Sequence, residues 1–210
     1  MKNLLLEITA AWLLGSALAA AQQPSPSLPV SLATSVRVEK QEGFAGPLYV
    51  TVAGRERKVA DEAINAWLIA DGRQIAYSGA DGAGGYENEG QSLRLYDVAT
   101  NRARKVLAET AAITRLTEFK TKAGQSGLIV EMVDGGLGAS HLAIVDPARG
   151  EVFRQAAAKL VRQQGDFIAV GHYRERDWER MAGGASVVPL KISRYNLAAL
   201  LRRPLITHRR

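Results

Sequence analysis

Beyond residue 47 the apolar positions come in short bursts of strand length, separated by Gly, Asp, Asn or Pro. Leu93, Leu95, Tyr96 and Val98 alternate and then run together, a spacing that suits strands rather than a helical stripe. INAWLIADGRQIAYSG (64–79) reads as an apolar strand, an Asp-Gly turn at 71–72, and a second strand QIAYSG. ITRLTEF (113–119) and GLIVEMVD (127–134) form a similar pair, and GDFIAVGHY (165–173) supplies a further strand. Trp67 falls within the first of these strands and is expected in the core.

The hairpins repeat. LRLYDVATNRARKVL (93–107) is a strand, a turn and a basic strand, and HLAIVDPARGEVFRQ (141–155) has the same shape. Asp146 stands where Asp97 stood, forty-nine positions on. Four residues after each Asp comes Asn101 or Gly150, residues that accept the positive φ needed near the end of a three- to five-residue hairpin loop. The Asp carboxylates can bond the amides of their turns, and Pro147 suits the turn's start. VTVAGRERKV (50–59), with Gly54, is a weaker copy. YNLAALLRRPLI (195–206) aligns Tyr195 with Tyr96, but Leu200 occupies the positive-φ slot, so NLAALLRR reads as a turn of helix rather than a hairpin. A period in the high forties is the size of a propeller blade.

The repeat around residues 64–107 resembles that of TolB-like β-propellers, in which an apolar strand and a Pro-Asp-Gly turn precede an "IAF" strand and a "lyvyDvatg" hairpin. Ala70-Asp71-Gly72 stands in for the turn, Ile75-Ala76-Tyr77 for the strand, and Leu95-Tyr96-Asp97-Val98 for the hairpin. The resemblance extends diffusely over residues 48–206. It implies an all-β, β-propeller-like array of about four four-stranded antiparallel blades, as a small ring or an open arc. Ring closure would pair strand 48–52 with 187–195. An antiparallel β-sandwich is the alternative architecture, because good hairpins look alike in any fold. The resemblance also implies envelope proteins as partners.

The first 21 residues fall outside this pattern. Lys2, an apolar stretch, and Ala17, Ala19 and Ala21 at cleavage-compatible spacing make a signal peptide, cut after Ala21 or Ala19. An uncleaved anchor is the alternative, but the stretch is short for a bilayer and interrupted by Glu7. A Pro/Ser-rich linker (22–34) then leads into one domain (35–210). With no cysteine the chain has neither disulfides nor a lipid-bearing thiol, so packing alone must stabilise it. A periplasmic or secreted protein is expected.

Net charge is +6, and removal of Lys2 and Glu7 together leaves it unchanged. Basic residues are scattered, with no aromatic-interleaved stripe, so nucleic acid is not an expected partner. The three histidines, His141, His172 and His208, lack zinc-ligand spacing, and there is no Gly-x-Ser-x-Gly elbow. DGAGGYENEG (81–90) has no phosphate-loop lysine, and its Asp81, Glu87, Asn88 and Glu89 match no EF-hand. No catalytic residue, metal or cofactor is therefore expected.

Function is expected in the long connections 79–91, 134–141 and 171–186, which a propeller gathers on one face. The candidate binding residues there are Tyr86, Glu87, His141, His172, Arg174, Arg176, Asp177 and Trp178. HYRERDWERM (172–181) is the richest stretch, since Trp and Arg are frequent interface anchors. The leading expectation is an exported, non-catalytic module that binds an envelope protein or glycan, with self-association through open blade edges. One alternative is a propeller fragment related to a hydrolase or lyase, with His141 or His172 and carboxylates in a common cavity. A structural remnant without ligand is the other.

Overall fold

The computed structural model describes residues 31–41, 44–80, 91–134 and 138–206. They form an all-β molecule of four antiparallel sheets with two short helices. Sheet 1 contains β1 (Ala33–Val38), β2 (Gly46–Val52) and β3 (Arg55–Ala63). Sheet 2 contains β4 (Asn65–Ile69), β5 (Gln74–Ala80), β6 (Gln91–Asp97) and β7 (Arg102–Thr110). Sheet 3 contains β8 (Ala112–Lys120), β9 (Ser126–Val133), β10 (Ser140–Asp146) and β11 (Gly150–Gln155). Sheet 4 contains β12 (Ala158–Gln164), β13 (Phe167–His172) and β14 (Lys191–Asn196), with α1 (Glu175–Ala182) between the last two and α2 (Leu197–Leu201) after them. Strand order within every sheet follows the chain, so each sheet is a meander. Four sheets replace the two of a sandwich.

The period-2 alternation deals residues to successive cores. Ile75 and Tyr77 of β5 pack between sheets 1 and 2, while Ala76 packs between sheets 2 and 3. On β10, Ala143 and Val145 face sheet 2, and Leu142 and Ile144 face sheet 4. Sheets 2 and 3 are therefore buried on both faces, which is why their strands read as near-continuous apolar runs. Trp67 is half-buried against the core between sheets 2 and 3. Among the described residues no hydrophobic cluster joins sheet 1 to sheet 4.

Sheets 2 and 3 lie side by side in a fixed offset. Asn65 Nδ2 donates to the Ile113 carbonyl at 3.0 Å, and the Ala70 amide donates to Glu118 Oε2 at 3.0 Å. Both bonds span 48 residues, so β4 and β8 run parallel in repeat register. The Lys122 amide donates to Asp166 Oδ1 at 2.9 Å, placing the β8–β9 turn beside the β12–β13 turn. These turns share one end of the molecule. The β5–β6, β9–β10 and β13–β14 connections consequently leave from the other.

The hairpin chemistry is as expected at two places. Asp97 Oδ1 accepts from the Thr100 amide and hydroxyl, both at 2.8 Å, and Asn101 has φ 56°. Asp146 Oδ1 accepts from the Ala148 amide at 2.8 Å, and Gly150 has φ 120°. The first hairpin differs. Val52 pairs with Arg55, leaving a two-residue loop in which Ala53 (φ 49°) and Gly54 (φ 74°) are both left-handed. Such a loop matches the twist of its strands, and Ala53 carries the strain that Asn would relieve.

Other expectations are corrected at the ends. Sheets 1 and 4 have three strands, not four. In sheet 4 the fourth position is not filled by a strand, because Asn196 Oδ1 accepts from the Ala199 amide and caps α2 instead. Leu197, Leu200 and Leu201 then bury themselves against sheet 3, which apolar helix residues favour over an exposed edge. The pairing of 48–52 with 187–195 is not formed: β2 lies between β1 and β3, and β14 pairs with β13. Ala33 and Thr34, read as linker, already belong to β1. The leader and residues 22–30 lie outside the described residues, and no described helix is long and apolar enough to cross a membrane.

Candidate functional site

The two described histidines lie on different sheets, His141 on sheet 3 and His172 on sheet 4. His141 pairs with Met132, which packs toward sheet 2. His172 shares its strand face with Ile168 and Val170, which pack between sheets 3 and 4, and its Nε2 lies 2.9 Å from Ser193 Oγ. The common cavity that a hydrolase-related site would need is not formed by this pair. Among the described residues no three His, Asp or Glu side chains gather in metal-binding fashion. Tyr86 and Glu87, with the acidic residues of 81–90, lie outside the described residues.

The segment 172–190 holds the remaining candidates, and its middle is the helix α1 (Glu175–Ala182) rather than the loop expected. Tyr173, Asp177 and Met181 recur at helical spacing. Asp177, at the third helical position, accepts through Oδ2 from the Arg174 amide at 3.0 Å and ties off the first turn. Glu175 and Asp177 in the first turn and Arg180 in the last complement the helix dipole. The helix stops at Gly183, and the Ala185 amide returns to the Arg180 carbonyl at 2.9 Å.

Asp177 and Trp178 are buried, with Trp178 only 3% exposed, its ring centroid 5.1 Å from that of Tyr173. Both hold α1 in place, Trp178 by packing on Tyr173 and Asp177 by its bond to the Arg174 amide. Arg174 and Arg176 remain exposed, joined by Arg180. Together with Asp177, Ser186, Val187, Val188 and Leu190, these arginines line an open cleft of about 420 Å³. Val188 is 85% exposed and Leu190 63%. Among the described residues the three guanidinium groups make no ion pair.

The helix's charge pattern is not one that helix stability favours. Glu175 and Glu179 are four residues apart, as are Arg176 and Arg180, and each like-charged pair costs an isolated helix about 0.2–0.5 kcal/mol. The result is an acidic and a basic row side by side, Arg174 and Arg176 lining one open cavity with Glu175 and Glu179, and the basic row also lies beside exposed aliphatic side chains. Arg180, Val188 and Leu190 went unrecognised in the sequence because their role depends on α1 bringing residues eight to ten apart into one cleft. The helical spacing of Tyr173, Asp177 and Met181 was the available signal.

No family model matches the chain, and no curated protein matches it. Among solved structures it is similar to the acylaminoacyl peptidase of Pyrococcus horikoshii, with 12% identity and a TM-score of 0.42. That match covers 76% of this chain and 29% of the peptidase, so the chain spans under a third of that protein's length.

Proposed function

We propose that this chain is an exported, non-catalytic binding module that takes an acidic, partly apolar protein segment in the cleft beside α1. The carrying observation is the row of Arg174, Arg176 and Arg180, unpaired among the described residues and set against exposed Val188 and Leu190. An acidic segment would pair with the guanidinium groups, and its apolar side chains would cover the two aliphatic ones. Arginine suits this role because its planar fork bonds carboxylates bidentately. Long connections leaving one end of a rigid β scaffold are a common place for such a surface.

The wider setting belongs to the same proposal. The four sheets form a propeller-like open arc of TolB-like repeats, the leader directs the chain to the periplasm or outside the cell, and an envelope protein supplies the acidic segment. A glycan is the second reading, favoured only if it is anionic, since the cleft offers cations and no flat aromatic face. Isothermal titration calorimetry, with a Glu/Leu peptide in one series and a sulfated oligosaccharide in another, separates them. Saturable, salt-sensitive binding of the peptide supports the protein reading. Binding of the oligosaccharide alone favours the glycan, and binding of neither overturns the site.

A further inference from the structure

The stacking of sheets leaves two outer faces, one at each end of the molecule, that of sheet 4 covered only over Gly171 by Tyr173 and Pro189, and they differ in chemistry. On sheet 4, Ile168 and Val170 point into the core, so Phe167, Ala169 and Gly171 of β13 point away from it. Val161 and Ile192 flank them and are 48% and 57% exposed, with Phe167 at 39%. The register sets Arg162 and Arg194 on either side of Ala169, and the Arg194 guanidinium lies 4.4 Å from the Phe167 ring centroid. By register Lys159, Arg162 and Arg194 share this face, and strands β12, β13 and β14 contain no carboxylate. Exposed apolar side chains ringed by cations of one sign mark an interaction surface.

On sheet 1, Leu48 and Val50 point into the core, and Tyr49 and Thr51 point away. Arg37 and Lys58 are the cross-strand neighbours of Tyr49, and Ser35 and Glu56 those of Thr51. Glu39 and Glu56 hold Arg37, each at 3.1 Å, and Asp61 holds Lys58 at 2.7 Å. Three carboxylates therefore face two cations, a slight acidic excess around a half-buried tyrosine.

We propose that the outer face of sheet 4 docks on the outer face of sheet 1 of a second copy, head to tail. Arg162 and Arg194 meet the Glu39 and Glu56 carboxylates, while Val161, Phe167 and Ile192 cover Tyr49. The contact repeats between chains what already holds sheets 1 to 4 together within one, a sheet face laid on the next. It is heterologous, since the two surfaces are unlike. It uses neither the α1 cleft nor its arginines, so it stands apart from the binding function.

Sedimentation velocity of the full chain, over a wide range of concentration, reads this directly. The wild type associates as concentration rises. Arg194→Glu and Glu56→Arg each weaken association tenfold or more, and Ile192→Asp, at an exposed position, does so without relying on charge alone. Mixing Arg194→Glu with Glu56→Arg restores association, because the intact sheet 4 face of one chain meets the intact sheet 1 face of the other and the two reversed charges complement each other. A wild type that stays monomeric overturns the proposal, as does association that none of the variants changes. A mixture that remains monomeric overturns the head-to-tail arrangement.

Discussion

Asp97 and Asp146 perform one task forty-nine positions apart: each carboxylate gathers the amides of its own turn. Those bonds hold the Asp97 carboxyl below its ordinary range, the Thr100 amide contributing most. Stability from it is present above the ordinary Asp range and fades as pH falls through the lowered value. Gly150 is the sharper residue-scale test. Its φ of 120° suits glycine alone, and a Cβ there would meet the Val106 carbonyl oxygen at 3.3 Å. Gly150→Val should lower unfolding free energy by about 1–2 kcal/mol in urea melts. These turns were legible because the residue types that allow positive φ are few. Ala53 was not, since alanine gives no sign that it adopts one.

Glu131 carries the opposite pH sign. Its side chain is 13% exposed, Oε1 has no hydrogen-bond partner, and Arg115 stands 3.7 Å away. Burial raises its pKa, and the charges of Arg115 and Lys159 offset this only in part. Between the ordinary Glu value and the raised one the folded chain binds more protons than the unfolded chain, so stability falls as pH rises through that interval. Glu131→Gln removes this slope. Melts from mildly acidic to neutral pH should show the variant losing less stability than the wild type.

At the scale of elements, α1 separates support from contact. Trp178→Ala empties the space against Tyr173 and should destabilise by about 3–5 kcal/mol, or unfold α1 locally. Arg176→Ala, at an exposed position, should stay within about 0.5 kcal/mol of wild type in the same melts. Trp178 looked like an anchor in the sequence because Trp and Arg sit together in HYRERDWERM. What residue type alone does not say is which side of a helix faces the sheet. The α2 exception was legible, because Leu200 cannot serve where Asn101 and Gly150 do. The ends of sheets 1 and 4 were not, because whether a chain adds a fourth strand depends on what lies beside it.

For the whole molecule, the strands, their pairing into hairpins and the repeat spacing were readable, since alternation and turn chemistry are local. The order of the sheets followed from the repeat. The α1 cleft required the folded chain, because Arg174, Arg180, Val188 and Leu190 converge only through a helix and a return. If the cleft binds an acidic segment, charge reversal at its rim must weaken that binding. A Glu/Leu peptide is titrated against wild type and the double variant Arg176→Glu/Arg180→Glu, with melts recorded on both. Both proteins should remain folded, the variant melting slightly lower because it loses a helix-dipole cation and gains like-charge neighbours, with affinity lowered at least tenfold, about 1.4 kcal/mol. Equal affinity for the two proteins, with both folded, would contradict it.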